Sequence, residues 1–246
     1  MNNFYTNNYS IVNLYKKNSS KSKIVTQMIY GESFKIINKS SKWIKIRIKE
    51  DGYTGYVKNK RFISYLKPTH KVSVLSATIY KNSNYNMKIG KLSYVSKIKV
   101  EKITSKFSKF QNKWIETKNI KPIKYINKNT FKDIEIFKGI KYKWGGKTFA
   151  GIDCSALIQV CLNFNNKFCP RDTRKQARFF KKKISLNDIK KNDIIYWKGH
   201  VALALSTKKL IHAYGPRKKV LIMDIKKTVE LIKKTANLKV TAVKRI

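Results

Sequence analysis

Between Ser10 and Leu66 the apolar residues come only in short bursts, each cut off by Ser, Lys, Asn or Gly before a helix could complete its turns. The bursts are Ile11-Val12 with Leu14, Ile24 to Met28, Phe34 to Ile37, Trp43 to Ile48, and Tyr56-Val57 with Phe62-Ile63. Trp43 to Ile48 alternates apolar and basic residues with a period of two, the pattern of a half-buried strand. Asp51-Gly52 directly after it reads as a hairpin turn, since both residues tolerate the positive φ such turns need. Five short strands in so little chain predict a small barrel. Residues 1–8 read as a polar, loose lead-in.

Residues 70–126 repeat this texture weakly. Ile79-Tyr80-Lys81 echoes Leu14-Tyr15-Lys16, Val95 to Val100 echoes Phe34 to Ile37, and Lys113-Trp114-Ile115 stands in the place of Gly55-Tyr56-Val57. Two tandem all-β barrels are therefore expected, over 9–67 and 70–126, with Pro68 and Pro122 near their ends. From Asn127 the pattern changes. Lys132 to Lys138 reads as a short helix, and Tyr142 to Gly146 is a Gly-rich turn. Asp153 to Phe164 has apolar residues too dense for a surface helix and is expected to be buried. Strands follow at Asp193 to Trp197, Val201 to Leu205 and Leu210 to Tyr214, then a helix from Lys226 to Thr235 and a strand from Leu238 to Lys244. A helix followed by an antiparallel set of strands is an α+β layout, so 128–246 is expected to be a third domain.

Composition limits the partners. The chain has 56 Lys plus Arg against 13 Asp plus Glu, a formal charge of +43, which would attract polyanions. The basic residues are spread along the chain, and no RNA-recognition motif, zinc finger or GXXG loop accompanies them, so no sequence-specific nucleic-acid partner is expected. Three cysteines without a CxxC exclude a disulfide framework. No uninterrupted apolar run reaches the ~18 residues of a membrane-spanning helix. The start shows no apolar export segment, from which a cytoplasmic location is expected.

The scarce residues carry the chemistry. Two of the three histidines, His200 and His212, fall on consecutive predicted strands, and Cys154 falls at the start of the predicted buried helix. A helix N-terminus lowers a cysteine's pKa through its unpaired N–H groups, and the same groups stabilise an acyl-transfer oxyanion. One imidazole can take the thiol proton while a second polar group fixes its tautomer. Two blander readings stay open: Cys154 as a small core residue like Cys161 and Cys169, and a metal site from Cys154, His200 and His212.

Around these residues, Tyr142-Lys143-Trp144-Gly145-Gly146 and Gly151-Ile152-Asp153-Cys154-Ser155-Ala156-Leu157-Ile158-Gln159 resemble the nucleophile segment of the NlpC/P60 cysteine peptidases. Pro170-Arg171-Asp172-Thr173 is similar to that family's PRDS segment, with Thr for Ser. Asn192 to Trp197 is similar to its GDLVFW strand, with Asn for Gly, and Gly199 to Leu203 and Leu210 to Ala213 are similar to its two histidine strands. Gln27 to Glu32 and Glu50 to Val57 resemble the bacterial SH3-like domains that precede this catalytic domain in dipeptidyl-peptidase-type members.

The resemblance implies a papain-like α+β catalytic domain behind two SH3-like barrels, with no metal or other cofactor. It implies hydrolysis of murein peptides between γ-D-glutamate and the following diamino acid, with preference for a free N-terminal L-alanine, in wall-peptide turnover or recycling. Cys154 would be the nucleophile, His200 the general base and later the acid, and His212 the residue that orients His200 through an unprotonated ring nitrogen. Tyr142 would assist on the oxyanion side. For the free amine the resemblance points to Asp172, Asp153 and Ser155 within their motifs, beside Thr173, and to a tyrosine of the first SH3-like domain. Tyr53 is favoured there over Tyr56, whose place beside Val57 reads as barrel core. Asp153 is equally compatible with a helix cap and Asp172 with a turn. Arg171 or a neighbouring lysine would hold a substrate carboxylate, and the basic surface would favour encounter with an acidic peptide. Three rival functions remain: a thiol amidase or acyltransferase on another amide, a wall-peptide-binding protein without catalysis, and a polyanion-binding protein whose affinity would fall steeply with salt.

Overall fold

Trp43–Ile48 occupies the middle of a seven-stranded antiparallel sheet, ordered Ile24–Ile29, Ile11–Tyr15, Thr54–Lys58, Trp43–Ile48, Ser33–Lys39, Phe4–Thr6, Ile63–Ser64. Its period-two alternation buries Ile44, Ile46 and Ile48, which meet Leu14, Met28, Phe34 and Val57 in one core. The Asp51-Gly52 turn forms as expected: Gly52 has φ +71°, its N–H donates to the Ile48 carbonyl, and the Asp51 carboxylate accepts from the Tyr53 N–H at 2.9 Å. The structure, a computed structural model, describes residues 4–246.

Two expectations fail in this region. Phe4–Thr6, read as loose, is a strand paired with both Ser33–Lys39 and Ile63–Ser64, because Thr6 and the Asn7 side chain tie it down; residues 1–3 lie outside the described residues. Tyr56, read as core, faces outward opposite Lys45, whose ammonium lies over its ring. Adjacent residues on a strand point to opposite faces, so burial of Gly55 and Val57 turns Tyr56 out. Tyr53, favoured as the exposed ligand, is half-buried and packs against the barrel core.

The next stretch forms a five-stranded sheet ordered Lys88–Ser93, Ser76–Tyr80, Lys113–Glu116, Phe107–Phe110, Lys102–Ile103, and a three-stranded sheet of Lys97–Ile98, His70–Val72 and Ile120–Pro122. Its core is Val72, Ala77, Ile79, Leu92, Ile98, Phe110, Ile115 and Ile120, joined by Tyr30 from the first barrel. Gly31 beside it has φ +80°, and a Cβ there would lie 1.9 Å from the Lys97 carbonyl oxygen, so only glycine permits this approach. Lys97 also meets Glu50 at 2.9 Å. The two stretches thus share a core and an ion pair. Together with Lys147–Phe149 and Phe164–Asn166 they make up one of two units of the chain. Inside this unit Lys147 and Glu32 form a buried ion pair at 2.6 Å, where the Lys147 charge opposes the effect of burial on the Glu32 carboxyl.

The second unit comprises Lys128–Gly146, Ala150–Asn163 and Lys167–Ile246. Helix α1 spans Cys154–Phe164, and Ala156, Leu157, Ile158, Val160, Cys161 and Leu162 are all buried along it, as their density predicts. A six-stranded antiparallel sheet follows, ordered Lys183–Ile184, Val240–Lys244, Ile194–Trp197, His200–Ala204, Lys209–Tyr214, Lys219–Asp224. Lys132 to Lys138 holds only a 3-10 turn at Ile134–Phe137. Helix α2, Thr173–Phe179, and the two edge strands of this sheet, Lys183–Ile184 and Lys219–Asp224, were not foreseen. Helix α3, Ile225–Ala236, is capped by Asp224, whose side chain accepts from the Lys227 N–H at 3.0 Å, and buries Ile225, Thr228 and Ile232. Ile225 and Ile232 pack with Ile195, Trp197, Ala202, Leu210, Tyr214 and Val243 of the sheet. None of the helices formed by the described residues is long and apolar enough to cross a membrane.

Candidate active site

Register brings the two histidines together. Leu203 faces Ile211 and Ala204 faces Leu210, and this pairing carried onward sets His212 opposite Ala202. His200 and His212 are then diagonal neighbours on one face of the sheet. His200 Nε2 lies 2.9 Å from His212 Nδ1, and His212 Nε2 lies 3.3 Å from the sulfur of Met223 on the unforeseen edge strand. A thioether sulfur can only accept. His212 therefore carries its proton on Nε2 and presents an unprotonated Nδ1, to which His200 Nε2–H donates. That assigns the His200 lone pair to Nδ1, the atom available to take a proton. Tyr214 stacks flat on the His212 ring, with centroids 4.7 Å apart at 7°, and fixes the orientation of that ring, to which the His200 ring stands tilted at 61°.

Cys154 is the first residue of α1 and is 6% exposed. Its thiol takes a backbone hydrogen bond from Val201, the residue beside His200, which sets it against the histidine strand. Thr173 Oγ1, at the start of α2, stands 4.0 Å from the sulfur. The expectation that the helix end would lower the thiol's pKa is not met. Burial pushes it up to about 11, helped by the Asp153 carboxylate and opposed by the Val201 hydrogen bond, Thr173 and Arg171. Burial likewise pushes His200 down to about 4, and burial with the neighbouring His200 charge pushes His212 down to about 3. The resting pair is a neutral thiol and a neutral imidazole. Burial thus disfavours the charged thiolate–imidazolium form.

The remaining site residues divide sharply. Asp153 caps α1: its Oδ1 accepts from the Ala156 N–H at 2.9 Å and from Ser155 Oγ at 3.1 Å, and its Oδ2 accepts from the Gly145 N–H at 2.9 Å. Arg171, 2% exposed, forks onto both oxygens at 2.9 and 2.6 Å and also donates to Ser155 Oγ and the Gly146 carbonyl. Arg171 thus faces an internal carboxylate and not an open subsite, and Ser155 is held between the two. Gly146 is required at this turn, because a Cβ there would lie 2.5 Å from the Gly151 carbonyl oxygen. Asp172 occupies the N-cap position of α2 but makes no capping bond; its carboxylate is 43% exposed, with Lys175 at 4.0 Å. The Tyr142 phenol is held well above its usual range by burial and by the charges of Cys154 and Asp153, which places it beside the thiol. Tyr53 belongs to the other unit. Among the described residues no group of three or more His, Cys, Asp or Glu could hold a metal ion.

The sequence reading did not find Met223 or Tyr214. The alternation of Val220 and Ile222 signals the strand that carries Met223, whereas the stacking of Tyr214 needs the register of the sheet.

Comparison with known proteins agrees with this geometry. Residues 139–236 match the NlpC/P60 family, and residues 14–61 match the bacterial dipeptidyl-peptidase Sh3 domain. The chain is 25% identical over 236 residues to "Dipeptidyl-peptidase 6" of Lysinibacillus sphaericus, covering 82% of this chain and 84% of that protein. It is 26% identical over 232 residues to "Gamma-D-glutamyl-L-lysine dipeptidyl-peptidase" of Bacillus subtilis (strain 168), covering 84% and 77%. A crystal structure of an NlpC/P60 family protein from Bacillus cereus ATCC 10987 superposes with a TM-score of 0.85 at 18% identity, over 98% of this chain and 99% of that one, and shows the same fold.

Proposed function

We propose that this chain, which carries an NlpC/P60 domain plus a bacterial dipeptidyl-peptidase SH3 domain, is a cysteine peptidase that hydrolyses the γ-D-glutamyl–diamino acid bond of murein peptides with a free N-terminal L-alanine. The observation that carries the reading is the ordered relay Met223–His212–His200 beside a thiol at the start of α1. The names of the dipeptidyl-peptidase relatives support the substrate class.

In the mechanism, His200 Nδ1 takes the Cys154 proton as sulfur attacks the γ-carbonyl, and the C–S bond forms while the carbonyl π-pair moves onto oxygen. The Tyr142 hydroxyl and the N–H groups at the start of α1 stabilise that oxyanion. The imidazolium then returns its proton to the departing nitrogen, the C–N bond breaks, and a thioester remains on Cys154. Water, deprotonated by His200, hydrolyses it. His212 carries no charge, so it steadies the imidazolium by hydrogen bonding alone. The free α-amine is assigned to Asp172, the partly exposed carboxylate that makes no capping bond. Asp153, Ser155 and Arg171 bond to one another beside this segment and hold the start of α1 in place. Turnover or recycling of wall peptides is the role this chemistry suits.

The test is mass spectrometry of L-Ala-γ-D-Glu-meso-diaminopimelate, and of its N-acetyl form, after incubation with the protein. The diamino acid is expected to be released from the free-amine peptide only. Equal cleavage of both removes Asp172 from amine recognition, and cleavage of neither favours a binding protein.

A further inference from the structure

A cavity of about 510 Å³ opens beside His200, within the second unit. Tyr142 and His200 are among its lining residues, and neither Cys154 nor Asp172 belongs to its lining. The group that gives a proton to the leaving nitrogen must touch that nitrogen, so the leaving residue starts at His200. A cavity that contains His200 but not the nucleophile therefore lies on the leaving-group side of the scissile bond.

Its walls have two characters. Tyr214, Leu231, Ile232 and Leu238 supply an apolar surface suited to a methylene chain. The rim carries Lys198, on the turn just before His200, and Arg217, on the single 3-10 turn after the His212 strand. Both cations are solvent-exposed, and no Asp or Glu is among the lining residues. A leaving residue with a lone ammonium at the end of its side chain meets two like charges there. One whose distal carbon also bears a carboxylate offers Arg217 a planar acceptor for its fork and offers Lys198 a point charge.

We infer that this cavity reads the leaving diamino acid and selects a distal carboxylate through Arg217 and Lys198, favouring meso-diaminopimelate over L-lysine. The inference rests on the γ-D-glutamyl peptidase reading. It departs from the L-lysine in the names of some relatives, whose own residues at this cavity need not be the same.

The test compares kcat/KM for three peptides, L-Ala-γ-D-Glu followed by meso-diaminopimelate, by meso-diaminopimelate amidated on its distal carboxyl, or by L-lysine. The acid form is expected to exceed the other two by roughly five- to tenfold, a size fitting exposed charge pairs. Distal amidation changes charge with little change in volume, so it isolates the carboxylate. Arg217→Glu, on an exposed turn, is expected to bring the ratio of acid form to L-lysine below one, and Lys198→Glu to lower it less. Equal rates for the three peptides, or a ratio unmoved by both substitutions, overturn the inference and leave the peptidase reading standing. Cleavage of none of them overturns both.

Discussion

Helices α1 and α2 begin alike, each with an aspartate at the position before its first residue, yet the two carboxylates have opposite fates. Asp153 is buried and engaged by the Ala156 and Gly145 N–H groups, by Ser155 and by both arms of Arg171. Asp172 makes no capping bond and stays partly open to solvent. The fully engaged carboxylate fixes where α1 starts and so where the thiol stands. Asp172, partly exposed and met by Lys175 at 4.0 Å, keeps its carboxylate accessible to a further cation. A carboxylate already satisfied within the protein gains little from a ligand, and this difference separates architecture from recognition at two neighbouring helix starts.

Breaking the internal pair should cost the most. Arg171→Met leaves Asp153 buried without its cation, and a loss of about 3–5 kcal/mol in stability is expected, visible as a lower denaturation midpoint and lost activity. If Arg171→Met is as stable as the parent, Asp153 does not depend on that pair and the contrast between the two aspartates weakens. Asp172→Asn tests the other side. It should leave the midpoint nearly unchanged while lowering kcat/KM for the free-amine peptide by roughly 10- to 100-fold, the worth of a charge-assisted hydrogen bond, with much less effect on an N-acetylated one.

The pH profile sharpens the account of the thiol and its base. With His200 held down to about 4 by burial, kcat/KM should stay level from neutral pH to near 5 and fall towards pH 4 as His200 gains a proton. An acid limb at the ordinary imidazole value of about 6.5 would show that His200 is not desolvated. Stability should follow the same groups. Both histidines have folded values below their unfolded value, so the unfolded chain binds more protons between about 6.5 and 3. Their contribution is complete above that window and declines as pH falls through it. The smallest effect expected is that of Met223→Leu, which removes the acceptor for His212 Nε2–H while keeping the volume. A two- to fivefold drop in kcat is expected, on the order of a weak hydrogen bond, with KM unchanged.

Much of this was legible in the sequence, for physical reasons. The apolar density of Asp153 to Phe164 predicts a buried helix, and α1 is buried along its length. The alternation of Trp43 to Ile48 predicts its inward residues correctly. The errors arise where one-dimensional pattern gives way to competition. Tyr56 was assigned by proximity to Val57, although neighbours on a strand face apart. A helix start predicts a lowered thiol pKa, whereas the buried Cys154 sulfur is pushed up, chiefly by desolvation and next by the Asp153 carboxylate. The fork of Arg171 onto Asp153 could not be read from sequence, because the two residues meet only after α1 and the segment before α2 fold together.

The most direct test of the central claim is to trap the thioester. The protein is mixed with L-Ala-γ-D-Glu-meso-diaminopimelate, quenched in acid within the first turnovers, digested and examined by mass spectrometry, alongside Cys154→Ala. The account predicts an L-Ala-γ-D-Glu acyl group on the peptide that contains Cys154, no such adduct in the variant, and a loss of turnover of about 10⁴-fold or more in the variant. Turnover retained by Cys154→Ala would contradict it.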